Sequence, residues 1–131
     1  MGDHKRILVV DDEPTVLFVL HDILMALGSD YEIVATDNGH EALERARKDP
    51  FDLVITDLSM PGMGGIELTE AIKQQDPATP VIWITAYGSY NVYADAERLK
   101  VYRCRDKPLE VSEILSMARE ALGVGNGVGL G

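Results

Sequence analysis

The 131-residue sequence contains a single cysteine, Cys104, so no internal disulfide can brace the chain, and a lone thiol suits a reducing compartment. Apolar runs are short. Ile7–Val10 is followed at once by Asp11-Asp12-Glu13, and nothing approaches the ~20 residues that cross a bilayer. Cations are scarce as well: 12 Lys and Arg stand against 22 Asp and Glu, a formal net charge of −10, and the basic residues are scattered. Such a surface repels a phosphate backbone, so neither direct nucleic-acid binding nor a membrane association is expected, and the chain is read as cytoplasmic. The first apolar run has no glycine-rich loop after it, which excludes a nucleotide-cradling turn. His4, His21 and His40 lack the mutual spacing of a metal site or a phosphohistidine relay. No internal repeat is present.

What remains is enough for one domain. Hydrophobic residues make up 46% of the chain, the globular norm, so a core can form without covalent help. Four short runs rich in branched apolar residues read as strands buried on both faces: Ile7–Val10, Leu53–Thr56, Val81–Ile84 and the weaker Tyr31–Ala35. A fifth, Val101–Arg105, carries charge on one side and reads as a sheet edge. Helical patterns fill the gaps. Pro14 opens one in which Leu17, Leu20, Leu24 and Leu27 recur until Gly28. Asn38 caps a second carrying Ala42, Leu43 and Ala46, with Glu41 placed to reach back in a capping box. Ile66 to Gln74 forms a third, Ser89 to about Lys100 a weaker fourth, and Val111, Ile114, Leu115, Ala118 and Leu122 the stripe of a fifth. The glycine-rich segment 123–131 reads as a flexible tail or linker stub. Strand and helix alternate throughout, so the expected architecture is α/β, a parallel sheet with helices on both faces.

In an open sheet of this kind, ligands bind beyond the carboxyl ends of the strands. Strand one ends in Asp11-Asp12, strand three in Asp57, strand four in Thr85-Ala86, and Lys107-Pro108 follows strand five. Three carboxylates, a hydroxyl and an ammonium therefore converge on one edge. Clustered carboxylates repel unless a cation neutralises them, and a hard divalent ion such as magnesium suits an all-oxygen set. A carboxylate can also attack phosphorus to give an acyl phosphate. Taken alone, Asp11-Asp12 would serve equally as a solvated strand end or a helix cap, Thr85 as a strand residue and Lys107 as a surface lysine. Their common register makes the functional reading the better one.

The order Ile-Leu-Val-Val-Asp-Asp-Glu, Asp57-Leu-Ser-Met-Pro-Gly-Met-Gly-Gly, Ile-Thr-Ala and Lys107-Pro108 resembles the receiver domain of two-component response regulators, from about Lys5 to Leu122. The resemblance implies a flavodoxin-like, doubly wound sheet of five parallel strands in the order 2-1-3-4-5, with residues 1–122 as the receiver. It implies Asp57 as phosphoacceptor. Asp11, Asp12, Asp57 and the Ser59 backbone carbonyl become ligands of Mg2+. Thr85 is the hydroxyl that turns toward the phosphoryl group, and Lys107, before a cis proline, pairs with that group. A sensor histidine kinase or a histidine phosphotransfer protein would be the donor. The fourth helix, fifth strand and fifth helix would rearrange to alter effector binding or to form a homodimer, any output domain lying outside these residues. Ser59 and Tyr87 flank the phosphoryl position and would tune its lifetime.

One departure stands out. Receivers usually carry Tyr or Phe three residues before the lysine, and here that position is Cys104, a small apolar residue rather than a redox centre. Alternation would set Tyr102 on the same strand face, so its ring is the expected substitute. Two other readings compete: a degenerate receiver that only binds a partner, and a haloacid-dehalogenase-type phosphatase, which wants Asp-x-Asp on strand one. The expectation is a signalling domain, not an enzyme acting on external substrates.

Overall fold

The computed structural model describes residues 4–86 and 90–123. Among them strands and helices alternate as β1 (Lys5–Val10), α1 (Pro14–Met25), β2 (Tyr31–Thr36), α2 (Gly39–Lys48), β3 (Leu53–Asp57), α3 (Gly65–Gln75), β4 (Val81–Thr85), α4 (Tyr90–Arg98), β5 (Arg103–Asp106) and α5 (Val111–Leu122). The strands pair in parallel in the order β2-β1-β3-β4-β5.

Successive strand residues point to opposite faces, and the core divides accordingly. Ile7, Val9, Leu53, Ile55, Ile82 and Ile84 pack with Leu20, Ile23 and Leu24 of α1 and Ile114, Met117 and Ala118 of α5. On the other face Leu8, Val10, Val54, Val81 and Trp83 meet Ala42 and Leu43 of α2, Leu68 and Ile72 of α3, and the inner side of α4. Every residue of β3 and β4 is buried, as a central strand covered by helices on both faces requires. Trp83 is fully buried, and its indole N–H donates to Thr69 Oγ1 at 2.8 Å, whose hydroxyl in turn donates to the Gly65 carbonyl at 2.7 Å.

Several local expectations need correction. β2 is not buried on both faces: it is an outermost strand with β1 as its single neighbour, and Glu32 and Ala35 are exposed. α1 stops at Met25, ahead of Gly28, which holds φ +126 in the turn beyond. β5 begins at Arg103 rather than Val101, because the chain bends at Tyr102, where its N–H first meets β4 by donating to the Val81 carbonyl at 2.8 Å. Asn38 Oδ1 caps α2 by accepting from Glu41 N at 3.0 Å, but Glu41 does not reach back. Its carboxylate accepts instead from the Thr36 hydroxyl at 2.7 Å, a stronger partner already in place at the end of β2, and this holds the Glu41 carboxyl below the usual range. β5 is the edge strand expected, and Arg103 and Arg105 pair with Glu120 and Glu113 of α5 at 3.3 and 3.8 Å.

Candidate functional site

The carboxyl ends of β1, β3 and β4 and the turn after β5 open into one cleft of about 450 Å³, lined by Asp12, Glu13, Asp57, Ser59, Thr85 and Lys107, with Ile66 and Val92 on its apolar wall. Register places these groups. Val10 lies beside Thr56, and Asp57 beside Ile84, so the residues that follow β1 and end β3 and β4 come out at one level. The α3 N-terminus is pressed against this level. A Cβ on Gly65 would collide with the Asp57 carbonyl and come within 2.9 Å of Leu58 Cα, so only glycine allows the approach.

Asp11, Asp12 and Asp57 each offer a carboxylate oxygen, and these oxygens lie within 4.8 Å of one another. Asp11 is 1% exposed and Asp57 5%, while Asp12 faces the cleft mouth. The Lys107 ammonium sits among them, 3.1 Å from Asp11 Oδ2, 3.1 Å from Glu13 Oε1 and 3.7 Å from Asp57 Oδ1. Burial raises the Asp57 carboxyl above its ordinary value, the Asp11 charge adds to the rise, and Lys107 only partly offsets them. For Lys107 burial favours the neutral amine, but the close approach of the Asp11 and Glu13 carboxylates and the charge of Asp57 outweigh it and hold the ammonium above its ordinary value. Despite its proximity to that ammonium, Asp11 Oδ2 makes no hydrogen bond of good geometry. A buried carboxylate oxygen without a well-aligned donor, beside two further carboxylates, is a donor set that fits a hard cation.

The main chain completes the frame. Lys107 N donates to the Thr85 carbonyl at 2.8 Å, the Lys107–Pro108 bond is cis, and Glu13 N donates to Asp11 Oδ1 at 2.9 Å. Thr85 is buried at the cleft floor, and Ser59 is exposed at its rim.

A model of the response regulator receiver domain matches residues 7–119. The chain belongs to that family. The receiver is 36% identical over 92% of its length to the transcriptional regulatory protein ZraR of Klebsiella oxytoca, of which it covers 27%, and 31% identical to sporulation initiation phosphotransferase F of Bacillus subtilis, with 91% and 94% of the two chains aligned. It thus spans about a quarter of the length of the first curated relatives it matches. Among solved structures, a CheY-like receiver domain protein from Methanospirillum hungatei superimposes with a TM-score of 0.86 at 28% identity, over 92% of this receiver and 95% of that chain. The response regulator TrrA of Thermotoga maritima, solved in complex with Mg(2+)-BeF, gives 0.80 at 34% identity over 90% and 99%.

Of the five residues expected from the strand ends, Asp12, Asp57, Thr85 and Lys107 line this one cleft with Ser59 at its edge, and Asp11 is buried beside it against Asp12, Asp57 and Lys107. Tyr87 lies outside the described residues. Tyr102 and Cys104 do not share a face. The bend at Tyr102 interrupts the alternation, so its ring packs on the α1/α5 side with the Arg103 guanidinium over it at 4.7 Å, while Cys104 packs on the α3/α4 side next to Trp83. Burial raises the Cys104 thiol, as for an apolar filler. Glu13, quoted above only as part of a motif, is a direct partner of Lys107. The signal was there: the residue before a proline is held extended, so its side chain turns off the helix axis toward the strand ends.

Proposed function

We propose that this receiver accepts a phosphoryl group on Asp57 and relays it as a change of surface. The observation that carries the reading is a nearly buried carboxylate at the cleft floor, grouped with two others and faced by an ammonium 3.7 Å away. One Asp57 oxygen attacks phosphorus as the donor's P–N bond breaks; the departing imidazole keeps that electron pair and takes up a proton, leaving an acyl phosphate. Lys107 neutralises charge on the transferred group, and the Thr85 hydroxyl donates to one of its oxygens. Asp11, Asp12, Asp57 and the Ser59 carbonyl would hold Mg2+, which, when bound, supplies charge neutralisation for carboxylates and phosphoryl oxygens together.

The donor in this reading is a phosphohistidine on a sensor kinase or phosphotransfer protein, and the site works in the cytoplasm. The α4-β5-α5 surface, adjoining Thr85 and Lys107 along the sheet edge, carries the response to an effector or a second copy. Ser59 and Tyr87 tune the lifetime of the acyl phosphate. With Cys104 small and Tyr102 committed to the opposite layer, the response does not run through an inward-swinging ring on β5. A phosphatase mechanism is disfavoured because the grouped nucleophile is Asp57 on β3 and not a residue of an Asp-x-Asp on β1.

Intact mass after incubation with magnesium and acetyl phosphate tests the reading. Wild type is expected to gain one phosphoryl group, and Asp57→Asn none. No gain by folded wild type, or a gain that survives in the variant, overturns it.

A further inference from the structure

Three carboxylates compete for one ammonium at the cleft, and they are not equivalent. Asp11 and Asp57 are buried and stand among the residues assigned to the ion, whereas the Glu13 side chain is 62% exposed and has no such assignment. Both main-chain anchors of the Glu13–Lys107 pair are fixed. Glu13 N is tied to Asp11 Oδ1, Glu13 O accepts from Leu17 N at 3.1 Å, and Lys107 N is tied to the Thr85 carbonyl. The side chains then reach toward each other across the cleft mouth and join segments 94 residues apart in sequence. At 3.1 Å this pair is closer than the 3.7 Å between Lys107 and the phosphoacceptor. The ammonium is therefore shared most closely by Asp11 and Glu13, with Asp57 farther off, and of those two nearer partners Glu13 is the one that lines the opening.

We propose that Glu13 is a positioning residue that competes with the phosphoryl oxygens for Lys107 and so weakens the hold of the site on a phosphoryl group. The inference rests on the reading of Asp57 given above. An arriving phosphoryl group must draw Lys107 from Glu13, and Glu13 recovers it when the group leaves. The Glu13 carboxylate is exposed, so the competition is modest and screened by salt, suited to setting the level of occupancy rather than to switching it off.

Calorimetric titration with beryllofluoride, a phosphoryl mimic, at saturating magnesium and low salt tests this without any turnover. Glu13→Gln removes the competing charge and is expected to bind about two- to five-fold tighter than wild type. Glu13→Asp keeps a charge at the mouth but shortens the reach to Lys107 by one methylene, and is expected to tighten binding as well. Unchanged or weaker binding by Glu13→Gln overturns the inference. So does a gain in Glu13→Gln that Glu13→Asp lacks, because the effect is then general repulsion and not possession of Lys107. Absence of binding by folded wild type overturns the phosphoacceptor reading, and this inference with it.

Discussion

Burial pushes the Asp57 carboxyl up, the Asp11 charge pushes the same way, and Lys107 pulls against both. A carboxyl whose folded pKa lies above its unfolded one favours folding most when protonated, and that contribution is lost as pH rises through the folded value. At neutral pH the ionised Asp57 therefore costs stability. Asp57→Asn is expected to raise the metal-free Tm at pH 7, by about 5 °C for each ~1 kcal/mol of repulsion removed, and the gain should vanish below pH ~4, where the unfolded carboxyl is protonated too. Thermal melts of both proteins across that range check it; a gain independent of pH would assign the effect to packing. At this scale the sequence was a good guide to which residues meet, since each stands at a strand end. It was a poor guide to how Lys107 divides itself among Asp11, Glu13 and Asp57, because differences of half an ångström come from the placement of separate loops. Tyr102 was misplaced for a related reason: alternation holds only inside a strand, and the bend lies just outside β5.

The contact between α3 and the end of β3 makes an element-level demand. Gly64 N donates to Glu67 Oε1 at 3.2 Å and Gly65 N to the Leu58 carbonyl at 3.0 Å, so the helix start is fixed to the loop that carries Asp57 and Ser59. Gly65→Ala puts a methyl into backbone. The helix has to back away, which is expected to cost about 1–3 kcal/mol in Tm or urea midpoint and to slow phosphorylation by acetyl phosphate. Stability lowered with an unchanged rate would show that the acceptor loop does not depend on this contact. In the sequence Gly64-Gly65 stand only as the end of the motif that begins at Asp57; the close approach that makes glycine obligatory at 65 is a tertiary fact. The helices with strong apolar stripes, α2 and α5, were legible, whereas the start of β5 was not, because Val101 and Tyr102 have strand propensity and the bend at Tyr102 that shortens the strand leaves no mark in composition.

For the molecule as a whole, an ion held by the acidic cluster would couple folding to its own concentration. A ligand that binds only the native state stabilises it by mass action, about 2.7 kcal/mol at a hundredfold excess over Kd. The Tm of wild type is expected to climb with magnesium concentration and that of Asp11→Asn to climb far less, as scanning calorimetry would register; equal rises would place the ion elsewhere. Strand–helix alternation made the layered α/β plan readable, but periodicity says nothing about which strand lies beside which. The order 2-1-3-4-5 came with the family resemblance, and hydrogen-bonded register then brought β1, β3 and β4 side by side.

The pinning of Arg103 and Arg105 to α5 has a consequence for how copies of this receiver can meet. An outermost strand is an open row of donors and acceptors on which another chain can crystallise as a further strand, the first step toward fibrils. β5 offers only four residues, and two of them carry guanidinium groups tethered to Glu120 and Glu113. Sheet extension from that side would bring like charges into line and strip those tethers. Copies that associate through this face are then expected to do so side chain to side chain, leaving the sheet ungrown at β5.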